Sequence, residues 1–422
     1  MSTACLPATP AGAASASIAP ARRRASYAML MALLGLSLAV SGVPSPLYAG
    51  YAAEWHLSSL TLTIVFAVYA VAALAAILLA GPLIDAFGRK PALLLATAGM
   101  TAGLVVFMTA HGVTALLAAR ALHGASIGTA VVAGGAALLD LRPDDGARTG
   151  RIIGTVFSIG MGMGVLTGAV LAEFTSAPLV LPYAVVGIVT TAALLGVVLM
   201  PETHQQRTGR RPSIAKPQVP SVIAADFRFA ALGAGASWVM LGLYLSLFPQ
   251  LAAGQTGIHH LVFSSGVVAA MAFAGAAAQW LARKLDAKLT ATVGDIGMAV
   301  VMLASIPLVF SGSAAAVVVS AVLLGSFFGM TFSGSLRHLN QVIPAAHRGN
   351  VMSAFYILCY SAMAVPTVLA GAAATFWSLP TVYVAFAILV AVVCASAAIL
   401  GRRVSPSTVE VAAAQVWAEA NH

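Results

Sequence analysis

The sequence predicts an all-α membrane protein with twelve transmembrane helices in two halves of six. Three observations carry this: charge is scarce, apolar runs are long, and Lys and Arg fall in every second gap between the runs. The chain is 60% hydrophobic and 8% charged, where a soluble domain is about 25% charged. That is too little polar surface to cover a soluble protein of 422 residues. Crossing the hydrocarbon core takes roughly 20 apolar residues as a helix, and only helices or closed barrels satisfy their backbone groups there. A barrel shows short alternating strands, whereas the runs here are unbroken Ala, Leu, Val and Gly.

Residues 1–25 are rich in Ala, Ser and Pro and are expected to be a disordered tail. Arg22, Arg23 and Arg24 precede the first apolar run, which resembles a signal peptide but continues to about Gly50, too long for an apolar signal core. Span 1 is therefore a retained helix, 26–49. Spans 2 and 3, 57–82 and 91–110, flank the decapeptide GPLIDAFGRK at 81–90, and residues 55–84 and 91–119 carry no formal charge. Span 4 runs over 114–139, and spans 5 and 6 over 152–172 and 179–200. The polar stretch 201–225 follows as a central loop. The second half repeats the count with 227–251, 259–282, 289–310, 314–336, 351–373 and 379–401. Three joints there lack a charge to mark them: Gly254 to His260, Ser311 to Ser313 and Trp377 to Pro380. The expected organisation is a first bundle over 26–200, a second over 226–403 and a tail over 404–422.

Of 21 Lys and Arg residues, all but Arg120 lie in the tails, in alternate loops or, as Arg228, where such a loop meets its span, and the intervening loops have none. Basic residues near span ends stay cytoplasmic, so both termini are expected in the cytoplasm, with the chain multi-pass in a bacterial cytoplasmic membrane. The net charge of +9 is then orientation signal and lipid-headgroup contact, not nucleic-acid binding. Cys5, Cys359 and Cys394 have no partners at ligand spacing, so neither a disulfide nor a metal site is expected. Nothing in the sequence calls for a cofactor. Two stretches, DDGARTGRIIG (144–154) and AAHRGNVMSAF (345–355), both place an Arg near a Gly before a span, a trace of a parallel repeat.

Gly81, Leu83, Asp85, Gly88, Arg89 and Lys90 match the pattern G-x-L-x-D-x-x-G-R-[KR]. On these residues, in the loop between spans 2 and 3, the chain resembles the major facilitator superfamily, and its first half reads like bacterial members. The resemblance implies two six-helix halves related by a pseudo-two-fold axis and a secondary transporter working by alternating access. It also implies a cytoplasmic latch at Gly81, Asp85, Gly88, Arg89 and Lys90. Physically, Gly81 would admit a close neighbouring helix, Gly88 a turn of positive φ, and Arg89 a carboxylate.

Arg120 sits inside span 4, where a charge is costly and is a functional hypothesis by default. RALHGASIG (120–128) resembles the R-x-x-Q-G motif of superfamily exporters, with His123 in place of Gln. Three residues apart, Arg120 and His123 are expected to share a helix face and to serve the cavity and proton coupling. Gly160, Gly164 and Gly168 recur every four residues in span 5, as expected of a helix-packing stripe. They lie where antiporters of the superfamily carry G-x-x-x-G-P, although Val165 replaces that Pro. Span 1 has no acid. Glu54 and Glu173 lie at outer span ends, and Asp295 lies about two turns from the cytoplasmic end of span 9, so coupling would pass through His123, Glu54 or Glu173.

By resemblance spans 1, 4, 7 and 10 line the cavity. Pro44, Ser45 and Pro46 are expected to break span 1 and expose carbonyls. Tyr48, Trp238, Tyr244, Gln250, Phe328, Tyr356 and Tyr360 are the candidate substrate contacts, an aromatic and almost uncharged set. The expected partners are a small, rather apolar molecule, protons and membrane lipid, and the expected state is a monomer. The reading is proton-coupled efflux; the alternative is an importer or facilitator of a small metabolite. No enzymatic activity is expected: a membrane enzyme would show converging polar groups, and a receptor would add a signalling domain. No G-x-x-x-x-G-K-[ST] is present for direct drive by ATP.

Overall fold

The computed structural model describes residues 19–142, 146–204, 217–344 and 347–403; of the side chains at 85, 146–148 and 151 nothing is described. Fourteen α-helices and no strands occur among the described residues. The first half contains α1 (Pro20–Gly42), α2 (Pro44–Trp55), α3 (Ser59–Phe87), α4 (Arg89–Met108), α5 (Val113–Leu141), α6 (Gly146–Glu173) and α7 (Leu181–Leu199). The second contains α8 (Ala224–Ser246), α9 (Phe248–Thr256), α10 (Leu261–Leu281), α11 (Ala287–Phe310), α12 (Ala314–Val342), α13 (Arg348–Ala373) and α14 (Leu379–Arg403). Together they make twelve spans long and apolar enough to cross a membrane. The tail over 404–422, most of the N-terminal tail and the middle of the central loop lie outside the described residues.

The span count agrees with the sequence because each join has a local cause. Ser58, Asp286 and Ser313 cap α3, α11 and α12 by accepting from Thr61, Leu289 and Ala316 N–H, the ordinary remedy for orphan donors at a helix start. The three joints without charge are ended by Gly257 at φ +70°, by Gly312 at φ +74° and by Ser378, whose hydroxyl accepts from Thr381 N–H. Span 1 breaks at Val43. Pro44 and Pro46 have no N–H, so the carbonyls of Val40 and Gly42 lack their usual donors. Span 7 breaks in the same way at Leu247, just before Phe248 and Pro249.

The halves pack by one plan. In the first, α3 and α4 pack on α5, α1 on α6 and α4 on α7; in the second, α10 and α11 pack on α12, α8 on α13 and α11 on α14. The halves meet where α6 packs on α10 and α3 on α13. The repeat extends to single residues. A methyl group on Gly124 or Gly128 would fall 2.3 or 2.6 Å from the carbonyl oxygens of Tyr69 and Ala73 on α3. On Gly325 or Gly329 of α12 it would fall 2.0 or 2.3 Å from those of Met271 and Gly275 on α10. Backbone-on-backbone contact of this kind is how helices associate where lipid offers no hydrophobic drive. The face carrying Arg89, Lys90 and Arg142 is called the basic face below; the other is the opposite face.

Candidate transport site

At the basic face the chain turns sharply at Gly88, with φ +106° and ψ 165°. That region of backbone space is essentially reserved for glycine. The turn starts α4, and the Glu202 carboxylate closes its N-terminus, accepting from Arg89 N–H and Lys90 N–H at 3.1 Å each and from His204 N–H at 3.0 Å. A carboxylate there meets both the free N–H groups and the positive end of the helix dipole. A methyl group on Gly88 would lie 2.6 Å from Glu202 Oε2, so both the turn and the anion require glycine. Buried Arg89 donates from Nε to Asp140 Oδ2 at 3.3 Å, and Lys90 Nζ donates to Val198 O at 2.7 Å. The cluster thus ties α3 and α4 to the ends of α5 and α7. Asp85, the remaining acid of the expected latch, has its side chain outside the described residues. Gly81 is corrected: nothing lies within 4 Å of where its Cβ would be, so no close helix requires a glycine there.

Replacing Gly88 with Ala forces the strained turn and displaces Glu202. We expect a loss of about 2–3 kcal/mol, against about 1 kcal/mol for Glu202→Gln, which keeps the shape and removes the charge. Thermal unfolding of the purified protein in detergent reads both.

Arg120 is 1% exposed. Its Nη1 donates to Ser41 O at 3.3 Å, on the last turn of α1 before the break. Its guanidinium lies 4.5 Å from the Tyr69 ring centre, 5.6 Å from Phe66 and 6.0 Å from Tyr48. These aromatic faces supply cation–π attraction, but no acidic partner is present among the described residues. Arg120 Nε and the Tyr48 hydroxyl have no hydrogen-bond partner. His123 does not share these surroundings. Its ring packs against Phe107, with centres 5.2 Å apart, and fills the space over Gly103 of α4, where a Cβ would meet it at 2.3 Å. A step of three residues turns the two side chains apart, Arg120 towards α1 and α3 and His123 towards α4.

Tyr48 and Gln250 line a cavity of about 280 Å³ between the two breaks, with Ser45, Ser246, His259 and Ser264. Its lining contains no Asp, Glu, Lys or Arg. Two contacts between the halves lie beside it on the opposite face. Ser45 Oγ donates to Leu245 O at 2.5 Å, and Glu173 pairs with His260 Nδ1 at 2.5 Å and accepts from Val262 N–H at 3.0 Å. Nearer the basic face, Trp238, Tyr356 and Tyr360 pack against the core of the first half, with Trp238 edge-on to Tyr360 at 4.7 Å. Phe328 stacks on Phe332 at 6.3 Å, and Phe332 lies 5.8 Å from Trp238. Tyr244 is elsewhere: it stacks on Phe248 at 4.0 Å inside the second half, with its hydroxyl 3.4 Å from that of Tyr383. The break at Leu247 folds Phe248 onto it and holds it out of the cavity. Gly160, Gly164 and Gly168 sit on the carbonyls of Gly35, Ala39 and Val43, joining α6 to α1.

Residues 27–367 match the family model of the Major Facilitator Superfamily. The chain belongs to the major facilitator superfamily. It is a multi-pass membrane protein, with twelve spans long and apolar enough to cross a membrane among the described residues. It is similar to the bovine (Bos taurus) Major facilitator superfamily domain-containing protein 10, 34% identical over 130 residues that cover 29% of this chain and 27% of that protein. Less than a third of that relative's length is therefore matched.

Several polar residues of this superfamily member escaped the sequence reading. Glu202, just past α7, and Asp140, at the end of α5, meet α4 and Arg89 from parts of the chain distant in sequence, and Asp226 pairs with His338 at 2.8 Å between α8 and α12. A signal existed for each, an acid at an otherwise apolar span end, but its partner was set by packing alone.

Proposed function

We propose that this transporter exports a small, largely apolar molecule with one polar acceptor group by alternating access, coupled to protons. The observation that carries this is Arg120, a buried cation with no acidic partner among the described residues and an unpartnered Nε, 6.0 Å from the ring of Tyr48, which lines an uncharged cavity shared by the halves. A cation kept in such a place at folding cost suits a substrate that brings its own acceptor. The aromatic wall of Trp238, Tyr356 and Tyr360 suits the apolar body. Tyr48 and Gln250 are the candidate contacts at the cavity, and Arg89 with Glu202 holds the basic face as part of the latch. The resemblance of RALHGASIG to the exporter motif favours the outward direction, with the basic face in the cytoplasm and the protein acting as a monomer in a bacterial cytoplasmic membrane. The absence of an acid from span 1 favours a second reading, a facilitator without coupling.

Proton flux in inverted vesicles energised with an inward pH gradient distinguishes the two. Lipophilic cations, neutral drugs and weak organic acids are added in turn. Export coupled to protons gives substrate-dependent proton release from the vesicles. Labelled substrate that equilibrates without proton movement sinks the coupling and leaves the facilitator.

A further inference from the structure

A line of buried polar atoms without partners runs through the second half, away from the cavity. Asp295 of α11 is 0% exposed, and neither carboxylate oxygen has a hydrogen-bond partner. Gly233 of α8 lets it in: a Cβ there would lie 2.6 Å from Asp295 Oδ1. The Thr331 hydroxyl of α12 faces the carboxylate and is its nearest hydrogen-bonding neighbour. From Thr331 the stripe continues along α12 through Ser335 to His338, at steps of four and three residues, which keep one helix face. The Thr331 and Ser335 hydroxyls are both fully buried and unpartnered. At the end of the stripe His338 Nε2 meets Asp226 Oδ1 at 2.8 Å, and Asp226 Oδ2 is again unpartnered. Seven residues of helix separate the two levels, about 10 Å.

Buried polar groups are normally hydrogen-bonded, so poorly satisfied polar atoms on four residues of one seam need a reason. An ionised carboxylate with no hydrogen bond and no cation is not tolerated in an apolar interior; the group neutralises instead. The charged and titratable groups facing Asp295 offer no cation in contact. They are Asp226 on α8 and His338 on α12, both two turns away, and Cys394 on α14. On α11 itself the nearest is Lys288, two turns off with interactions of its own, and Arg337 is turned to the carbonyls of Ala282 and Leu285.

We propose that Asp295 is a proton-binding site inside the second half, filled and emptied from the basic face along His338, Ser335 and Thr331. On uptake an O–H bond forms on the Asp295 carboxylate with a proton from water at the basic face. On release that bond breaks and the proton returns along the same stripe; no electrons are exchanged. The site gives the coupled reading of transport the acid that span 1 lacks. It rests on that reading only for its consequence, because protonation is measured without a substrate.

The test is infrared titration of the full-length protein in liposomes from about pH 5 to about pH 9. The expected result is a protonated-carboxyl band that is lost as pH rises, shifts in heavy water and is missing in Asp295→Asn. Ser335→Ala should keep the band and slow its shift in heavy water. A band that persists across the range without exchange would mark a locked structural acid and overturn the proposal. So would its absence throughout, or its loss on adding sodium chloride at low pH, which would mark a cation site. Should Asp295→Asn not fold, carbodiimide labelling of the unaltered protein decides. Modification at Asp295 that declines with pH supports the site, and none at Asp295 overturns it. If the vesicle experiment shows no coupling while the titration holds, the transport reading fails and the proton site stands.

Discussion

Gly164→Val is expected to lose the folded protein. A methyl group at this position would fall 2.0 Å from the Ala39 carbonyl oxygen and 2.6 Å from its carbonyl carbon and Cα. These are backbone atoms of α1, which cannot rotate away as a side chain does. The only relief is to push α6 off α1, which also lifts Gly160 and Gly168 from the carbonyls beneath them. Dispersion contacts fall steeply with such a gap. Overpacking in a core costs about 1–3 kcal/mol when side chains can adjust; with backbone on both sides and two methyls added beyond the first, a cost above about 3 kcal/mol is expected. Natural stabilities are about 5–15 kcal/mol, so the variant should express poorly and unfold well below the unaltered protein in detergent. Gly187→Ala and Gly81→Ala are the controls, because neither site has an atom within 4 Å of the added Cβ. Both should unfold at the unaltered temperature or slightly above it, since Ala is the better helix former. If Gly81→Ala fails as Gly164→Val does, a close helix contact at Gly81 has to be restored to the account.

The same contacts show what the sequence could and could not tell. Span number was legible because hydropathy and alternate basic loops are averages over many residues, and no single substitution hides them. The stripe Gly160, Gly164 and Gly168 was legible as packing because its period is that of a helix face. Its partner, span 1, was not, since any helix offers carbonyls at the same spacing. The repeat was faint for a related reason. Gly124 and Gly128 do for α3 what Gly325 and Gly329 do for α10, but the contact needs only a missing side chain, and everything around it is free to differ. Arg120 announced itself by its cost. The surroundings of His123 depended on Gly103 in another helix, and Asp295 looked like an acid near a span end until Gly233, Thr331 and Cys394 closed around it.

Arg120→Met is expected to separate folding from transport. A charge at a helix centre costs about 2.5–3.5 kcal/mol on insertion scales, and Arg120 recovers part of that from Ser41 O and three aromatic faces. It forms no ion pair among the described residues, so removing it orphans no buried carboxylate there. This differs from breaking a buried pair, where the partner's lost compensation makes the variant unstable. Met fills a similar volume and packs against Phe66 and Tyr69 without a polar atom to satisfy. The unfolding temperature should therefore hold or rise. Transport should fall by about 100-fold, the equivalent of about 3 kcal/mol and in the range for truncating a buried, charge-assisted contact. Arg120→Lys should fold equally well but recover little activity, because a compact ammonium lacks the planar fork that reaches Ser41 O on one side and presents donors towards Tyr48 on the other. A stable Arg120→Met protein that transports normally would remove Arg120 from the substrate path. An unstable one would show that the guanidinium is a structural tie between α1, α3 and α5, and that its folding cost had been overestimated.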